Sequence, residues 1–270
     1  MGSIKSTIKR FVPRPILSAY NKERLRWDMA ISRGKSREEI FSDIYGNNRW
    51  GGEPGSYVSG TGSRPDIIDS YVSVLRTLIR RERVARIVDL GCGDFEVARR
   101  LLSSELRYVG CDIVPALVAR NAAQFANERI EFRKVDIVTD PLPEGDLCII
   151  RQVFQHLSNR DISTVLGKAR QYPLLVVTDE QVVGDQSDRN TDIVPYHGTR
   201  RLFGQGLKLE TEPFFERVEI LLEHSSGSDA AGSSDTYLRT VLIRNNGRGS
   251  LRVCPKTSGG ITKFSEHEAD

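Results

Sequence analysis

The chain has 270 residues, 39% hydrophobic and 28% charged, with a formal net charge of +3. These are the proportions of a soluble globular protein of one large or two small domains. No apolar stretch reaches the ~18 residues that suggest a transmembrane helix, and the N-terminus lacks the compact apolar core of a secretory signal. Residues 1–37 hold ten basic and two acidic side chains, net +8, and the rest holds 29 basic against 34 acidic, net −5. The basicity thus belongs to an arm, and the body offers no basic face for a nucleic acid. Cys92, Cys111, Cys148 and Cys254 show no CxxC spacing, which suits a reducing cytoplasm and argues against structural zinc or another metal.

In chain order, the arm (1–37) is broken by Pro13 and Pro15. Within it Ile4, Ile8, Phe11 and Val12 share a helical face with basic residues around it. That pattern is expected to give residues 1–20 peripheral contact with an anionic membrane. Residues 38–65, rich in Gly, Ser and aromatics, read as a lid segment: "NNRWGG" and "SGTGS" are too glycine-rich for a packed element. Residues 65–81 carry apolar positions at helical spacing. Strand-like runs then fall at 86–91, 107–113, 129–137, 146–152 and 173–180, with helix-like segments at 94–105, 115–127 and 159–171. Such alternation predicts a parallel sheet with helices on both faces. Runs at 215–224 and 236–245 follow one another with no helix between, which requires an antiparallel hairpin. Residues 246–270 have few large apolar side chains and are expected to be disordered.

The first βα turn, "VDLGCGDF", sits where open α/β sheets bind ligands. Gly91 and Gly93 let the backbone approach a ligand, since neither has a Cβ. The pyrophosphate fingerprint G-x-G-x-x-G fails, because its third position is Glu96 and Asp94 follows the second glycine. Carboxylates repel a phosphate, which disfavours a nicotinamide dehydrogenase. They suit a ligand with positive charge and hydroxyls. Two further strands also end in acids, Asp112 in "VGCDI" and Asp136 in "KVDI"; the first can accept from both ribose hydroxyls.

These motifs, followed by "DLCIIRQVFQHLS", resemble those of class I S-adenosylmethionine-dependent methyltransferases over about residues 66–245. The resemblance implies a Rossmann-like, doubly wound, seven-stranded α/β sheet, mostly parallel, with a C-terminal antiparallel hairpin. It implies S-adenosyl-L-methionine as cofactor. Asp89, Gly91 and Gly93 would cradle its methionine half, with Cys92 in the same cofactor-binding turn as a small space-filler. Asp112 with Ile113 would hold the ribose, Asp136 with Ile137 would face the adenine, and Arg151 would complete the cofactor set.

On the acceptor side, His156 follows the fourth strand and is the natural general base; the alternative is a histidine packed beside Leu157. His197, in the loop after the fifth strand, is a second candidate for substrate contact. Tyr45, Asn48, Trp50 and Ser63 suit a lid or a sugar-stacking surface. The stretch "IFSDIYGNNRWGG…SGTGS" also resembles a segment ahead of the core in bacterial methyltransferases of surface-polysaccharide and sugar biosynthesis. The implied acceptor is the hydroxyl of a sugar, nucleotide-sugar or lipid-linked glycan. A small metabolite, a protein acceptor and a non-catalytic binding module remain open, as does the oligomeric state.

Overall fold

The computed structural model describes residues 23, 30, 32–50, 65–193, 200–228 and 235–245. The readings of residues 1–22 and 246–270, of Ser63 and of His197 lie outside them.

The elements follow from local chemistry. Helix α1 (Arg37–Gly46) starts at a capping box, in which Ser36 accepts from the Glu39 N–H while Glu39 accepts from the Ser36 N–H. Helix α2 (Pro65–Arg81) buries Ile68, Tyr71, Val72, Leu75, Leu78 and Ile79, at helical spacing. Strands β1 (Arg86–Leu90) and β2 (Arg107–Asp112), helix α3 (Pro115–Phe125) and strand β3 (Ile130–Lys134) make the first half of the sheet. Strand β4 (Leu147–Arg151), helix α4 (Asn159–Ala169, capped by Ser158) and strand β5 (Leu174–Val182) continue it, and β6 (Glu219–Ser228) and β7 (Asp235–Arg244) close it.

The seven strands are ordered β3-β2-β1-β4-β5-β7-β6. Pairs from β3 to β5 are parallel, and β7 is antiparallel to both β5 and β6. The expected doubly wound, mostly parallel sheet with its terminal hairpin is therefore present. Alternation along each strand feeds two cores. Ile87, Tyr108, Leu147, Ile149 and Val176 face α2, while Val88, Val109, Cys148, Ile150 and Val177 face α4. The chain leaves β1 toward β2 and leaves β4 toward β5, so the order reverses between β1 and β4. The crevice lies at the carboxyl ends of those strands.

Two expectations are corrected. Residues 94–105 form no α-helix, only a short 3-10 turn at Ala98–Arg100. Phe95 adopts a φ of 67° that a helix forbids, and so places its ring against Tyr108, Phe125 and Phe132 in the core. Residues 38–46, read as part of a loose lid, belong to α1, which buries Ile40, Ile44 and Tyr45.

Candidate active site

The glycine turn folds over the end of β2: the N–H groups of Gly91 and Cys92 both donate to the Cys111 carbonyl, at 2.7 and 3.0 Å. Gly91 has φ 84° and Gly93 φ 54°, a region open to glycine and costly for most residues. A Cβ on Gly91 would lie 2.3 Å from Val153 Cγ2. The space on the Cβ side of Gly91 is therefore filled by the segment after β4.

Asp112 fastens this turn. Its Oδ2 accepts from the Gly93 N–H and its Oδ1 from the Val114 N–H, both at 3.1 Å. Asn121, buried on α3, donates to the Gly93 carbonyl at 2.7 Å. Each Asp112 oxygen keeps a second lone pair, the pair of acceptors that a ribose diol needs. Asp89 is also buried and accepts from the Tyr108 hydroxyl at 2.8 Å. Burial raises both carboxyls, that of Asp89 to about 6, with Tyr108 and Arg151 only partly offsetting it. The Arg151 guanidinium lies 5.2 Å from the ring centroid of Tyr71, and burial pulls its pKa down. Cys92 is buried, and desolvation first, then Asp112 and Asp89, holds its thiol protonated. It packs in the buried cluster that holds Phe95 and Tyr108. Ile113 packs with Tyr45, Val114 and Leu117.

Acids at the turn and next to it would repel a pyrophosphate. A sulfonium, an ammonium and a ribose fit them, so the residues present suit S-adenosylmethionine.

Asp136 is tied to the helix ahead of the core. Arg37 of α1 donates to both its oxygens, from Nη2 at 2.9 Å and from Nε at 3.2 and 3.3 Å. Burial raises this carboxyl, but Arg37 and the Val138 N–H outweigh it and hold it below its ordinary value. Its charge is thus matched by Arg37 of α1. The Ile137 carbonyl accepts from Lys168 at 2.8 Å.

The residues expected on the acceptor side come from two distant segments that meet. His156, 5% exposed, lies beside the ring of Trp50 at 5.4 Å and edge-on to Phe41 at 6.0 Å; Tyr45 meets Trp50 at 5.0 Å. Asn48, at φ 47°, keeps a buried Oδ1 with no hydrogen-bond partner among the described residues. Tyr45, Trp50 and His156 are thus together, with Asn48 in the turn between Tyr45 and Trp50, its N–H donating to the Tyr45 carbonyl at 3.1 Å.

Sequence reasoning assigned no role to Phe41, Arg37, Asp179, Gln155 or Arg200. Asp179 ends the fifth apolar run as Asp89 and Asp112 end theirs, a signal present in the sequence. Arg200 is 1% exposed and donates to the carbonyls of Thr191, Phe154 and Leu157 and to Asn159 Oδ1, at 2.8–3.1 Å. One guanidinium therefore ties the loop after β4 to the loop after β5. Among the described residues no group of three or more His, Cys, Asp or Glu side chains could hold a metal ion.

Residues 88–172 match a family described as a methyltransferase domain. With the doubly wound sheet, the glycine turn and the acid closing β2, that match defines a methyltransferase. The acids at the glycine turn and at the end of β2 suit S-adenosylmethionine as its methyl donor. No curated protein matches the sequence. The N-methyltransferase NodS from Bradyrhizobium japonicum WM9, solved with S-adenosyl-l-homocysteine, is similar at 15% identity and a TM-score of 0.51, over 74% of this chain and 98% of that one. The 1,6-didemethyltoxoflavin-N1-methyltransferase of Burkholderia thailandensis, solved with its substrate and S-adenosylhomocysteine, is similar at 16% identity and a TM-score of 0.51, over 77% and 87%. At these identities the likeness is one of fold.

Proposed function

We propose that this enzyme methylates a hydroxyl on a sugar, a nucleotide-sugar or a lipid-linked glycan. The observation that carries the reading is the pairing of an aromatic surface, Phe41, Tyr45 and Trp50 beside His156, with the buried, unpartnered Oδ1 of Asn48. A sugar presents an apolar C–H face to aromatic rings and hydroxyl donors at its edge, and these groups match both. The resemblance of the segment around Trp50 to one in enzymes of polysaccharide biosynthesis supports the same acceptor.

S-adenosylmethionine supplies an electrophilic methyl group. Asp112 binds the ribose hydroxyls and keeps the glycine turn in place. Asp89 and Asp94 lend negative potential to the side on which positive charge is bound. The aromatic surface orients the acceptor and excludes water, and alignment of this kind contributes several kcal/mol to a displacement. A membrane-bound acceptor would suit the basic residues of the arm. No helix among the described residues is long and apolar enough to cross a membrane.

The test is transfer of labelled methyl from S-adenosylmethionine into a fractionated extract of the source cells, with Asp112→Asn as control. Label in the nucleotide-sugar or glycolipid fraction is expected; label confined to protein, RNA or an aromatic metabolite would overturn the sugar. The control keeps one acceptor oxygen but loses the charge, and its affinity for S-adenosylhomocysteine by calorimetry should fall about ten- to hundredfold. Unchanged affinity would refute the ribose role of Asp112.

A further inference from the structure

Asp179 stands near the carboxyl end of β5, one strand from the crevice: its neighbour Thr178 pairs with Arg151 of β4. Its side chain is 3% exposed. Oδ1 accepts from the Gln155 N–H at 3.2 Å, while Oδ2 is buried with no hydrogen-bond partner among the described residues. Folded proteins rarely leave a buried carboxylate oxygen unmatched, because its desolvation goes uncompensated. A residue kept at that cost points to a task outside packing.

His156 is less suited to the same task. The side-chain oxygen of Gln155 accepts from the Glu180 N–H at 3.4 Å, which directs its Nε2 toward His156 Nε2 at 3.3 Å. An amide nitrogen is only a donor, so the hydrogen bonding assigns the lone pair of His156 Nε2 to Gln155 and the ring proton to Nδ1. In that arrangement the Nε2 lone pair is engaged by the Gln155 amide rather than turned toward an acceptor. His156 also packs against Phe41 and Trp50, and Asp179 is the better placed of the two for the proton.

We propose that Asp179 is the proton acceptor of the transfer, an assignment that rests on the methyltransferase reading above. The acceptor heteroatom bonds to the methyl carbon as the carbon–sulfur bond breaks, and that electron pair stays on sulfur. The acceptor's proton passes to Oδ2, turning the carboxylate into a carboxylic acid that later releases it to solvent. A cation and an anion disappear together, which a site shielded from water favours.

The groups facing Asp179 agree. Arg151 of β4 and Arg200 of the turn Arg200–Phe203 lower its pKa; Glu180, paired with Arg201 at 3.2 Å, raises it. Across the sheet Arg239 of β7 is engaged with Glu210 and Glu223. Burial outweighs the Gln155 N–H and both arginines and pushes the carboxyl up to about 8, a strong base for a carboxylate.

Asp179→Asn keeps the shape and the Oδ1 acceptor, and the full chain should be assayed on the labelled extract fraction. Wild-type rate should rise with pH through about 8. The variant should be slower by about 10²–10⁴-fold and flat in pH, with wild-type affinity for S-adenosylhomocysteine. Infrared difference spectra give a readout independent of any acceptor: a protonated-carboxyl stretch at neutral pH that titrates away through about 8 and is missing from the variant. A variant with wild-type rate and pH profile overturns the proposal, as does a wild type without that band. A variant losing affinity in step with rate overturns it too, making Asp179 structural. Wild type unable to bind S-adenosylhomocysteine would remove the methyltransferase reading, and the proposal with it.

Discussion

Gly91→Ala separates two reasons for a glycine at this turn. The left-handed backbone, φ 84°, costs a residue with a Cβ about 1–2 kcal/mol. The new Cβ would also sit 2.3 Å from Val153 Cγ2. Valine is branched at Cβ and has no flexible end to swing aside, so relief requires moving the segment after β4, at about 1–3 kcal/mol. The single variant should lose about 2–5 kcal/mol in urea unfolding and weaken S-adenosylhomocysteine binding by calorimetry. Val153→Ala alone removes two half-buried methyl groups and should lose about 1 kcal/mol. The double variant has room for the new methyl and keeps only the backbone cost. It should therefore be more stable than the sum of the singles by about 1–3 kcal/mol and recover most of the lost affinity. Additive free energies would refute the packing argument. Stability recovered without affinity would mean that the ligand itself needs the missing Cβ.

Stability should also fall as the solution becomes more alkaline. Asp89 and Asp179 have folded pKa values of about 6 and 8, above those of the unfolded chain. Between the unfolded and folded values the folded protein holds protons that the unfolded chain has released. Each group therefore removes ~1.4 kcal/mol per pH unit, from about pH 4 to 6 for Asp89 and on to 8 for Asp179. Melting temperatures from pH 5 to 8 should decline, and Asp179→Asn should flatten the upper part; equal slopes in both proteins would contradict this. Arg200→Ala strips donors from two buried carbonyls and a half-buried one and should cost about 3 kcal/mol. Arg200→Lys should not restore it, since one ammonium cannot reproduce the guanidinium fork; a lysine variant as stable as wild type in urea would refute that.

Much of the sheet was legible because its strands are buried on both faces and read as short apolar runs at regular intervals. The acids Asp89 and Asp112 were legible for the same reason, each closing such a run. Helix α1 was hidden by composition: glycine and serine downstream drew attention from the Ser36–Glu39 capping box and the spacing of Ile40 and Ile44. The helix expected over 94–105 failed because Phe95 is buried through a left-handed backbone, a tertiary demand that periodicity does not register. No sequence pattern could bring Trp50 onto His156, or Arg37 onto Asp136, across about a hundred residues. The role of Gln155 depends on which way its amide points, which only its neighbours decide.

The buried guanidinium of Arg200 has a consequence for engineering. The loop after β4 carries His156, and the loop after β5 leaves the strand that carries Asp179. Because one side chain is bonded to both, they cannot be exchanged one at a time. A chimera built to change the acceptor must transplant residues 153–159 and 183–203 as one cassette. A donor lacking arginine at position 200 would bring two loops with nothing to hold them in register.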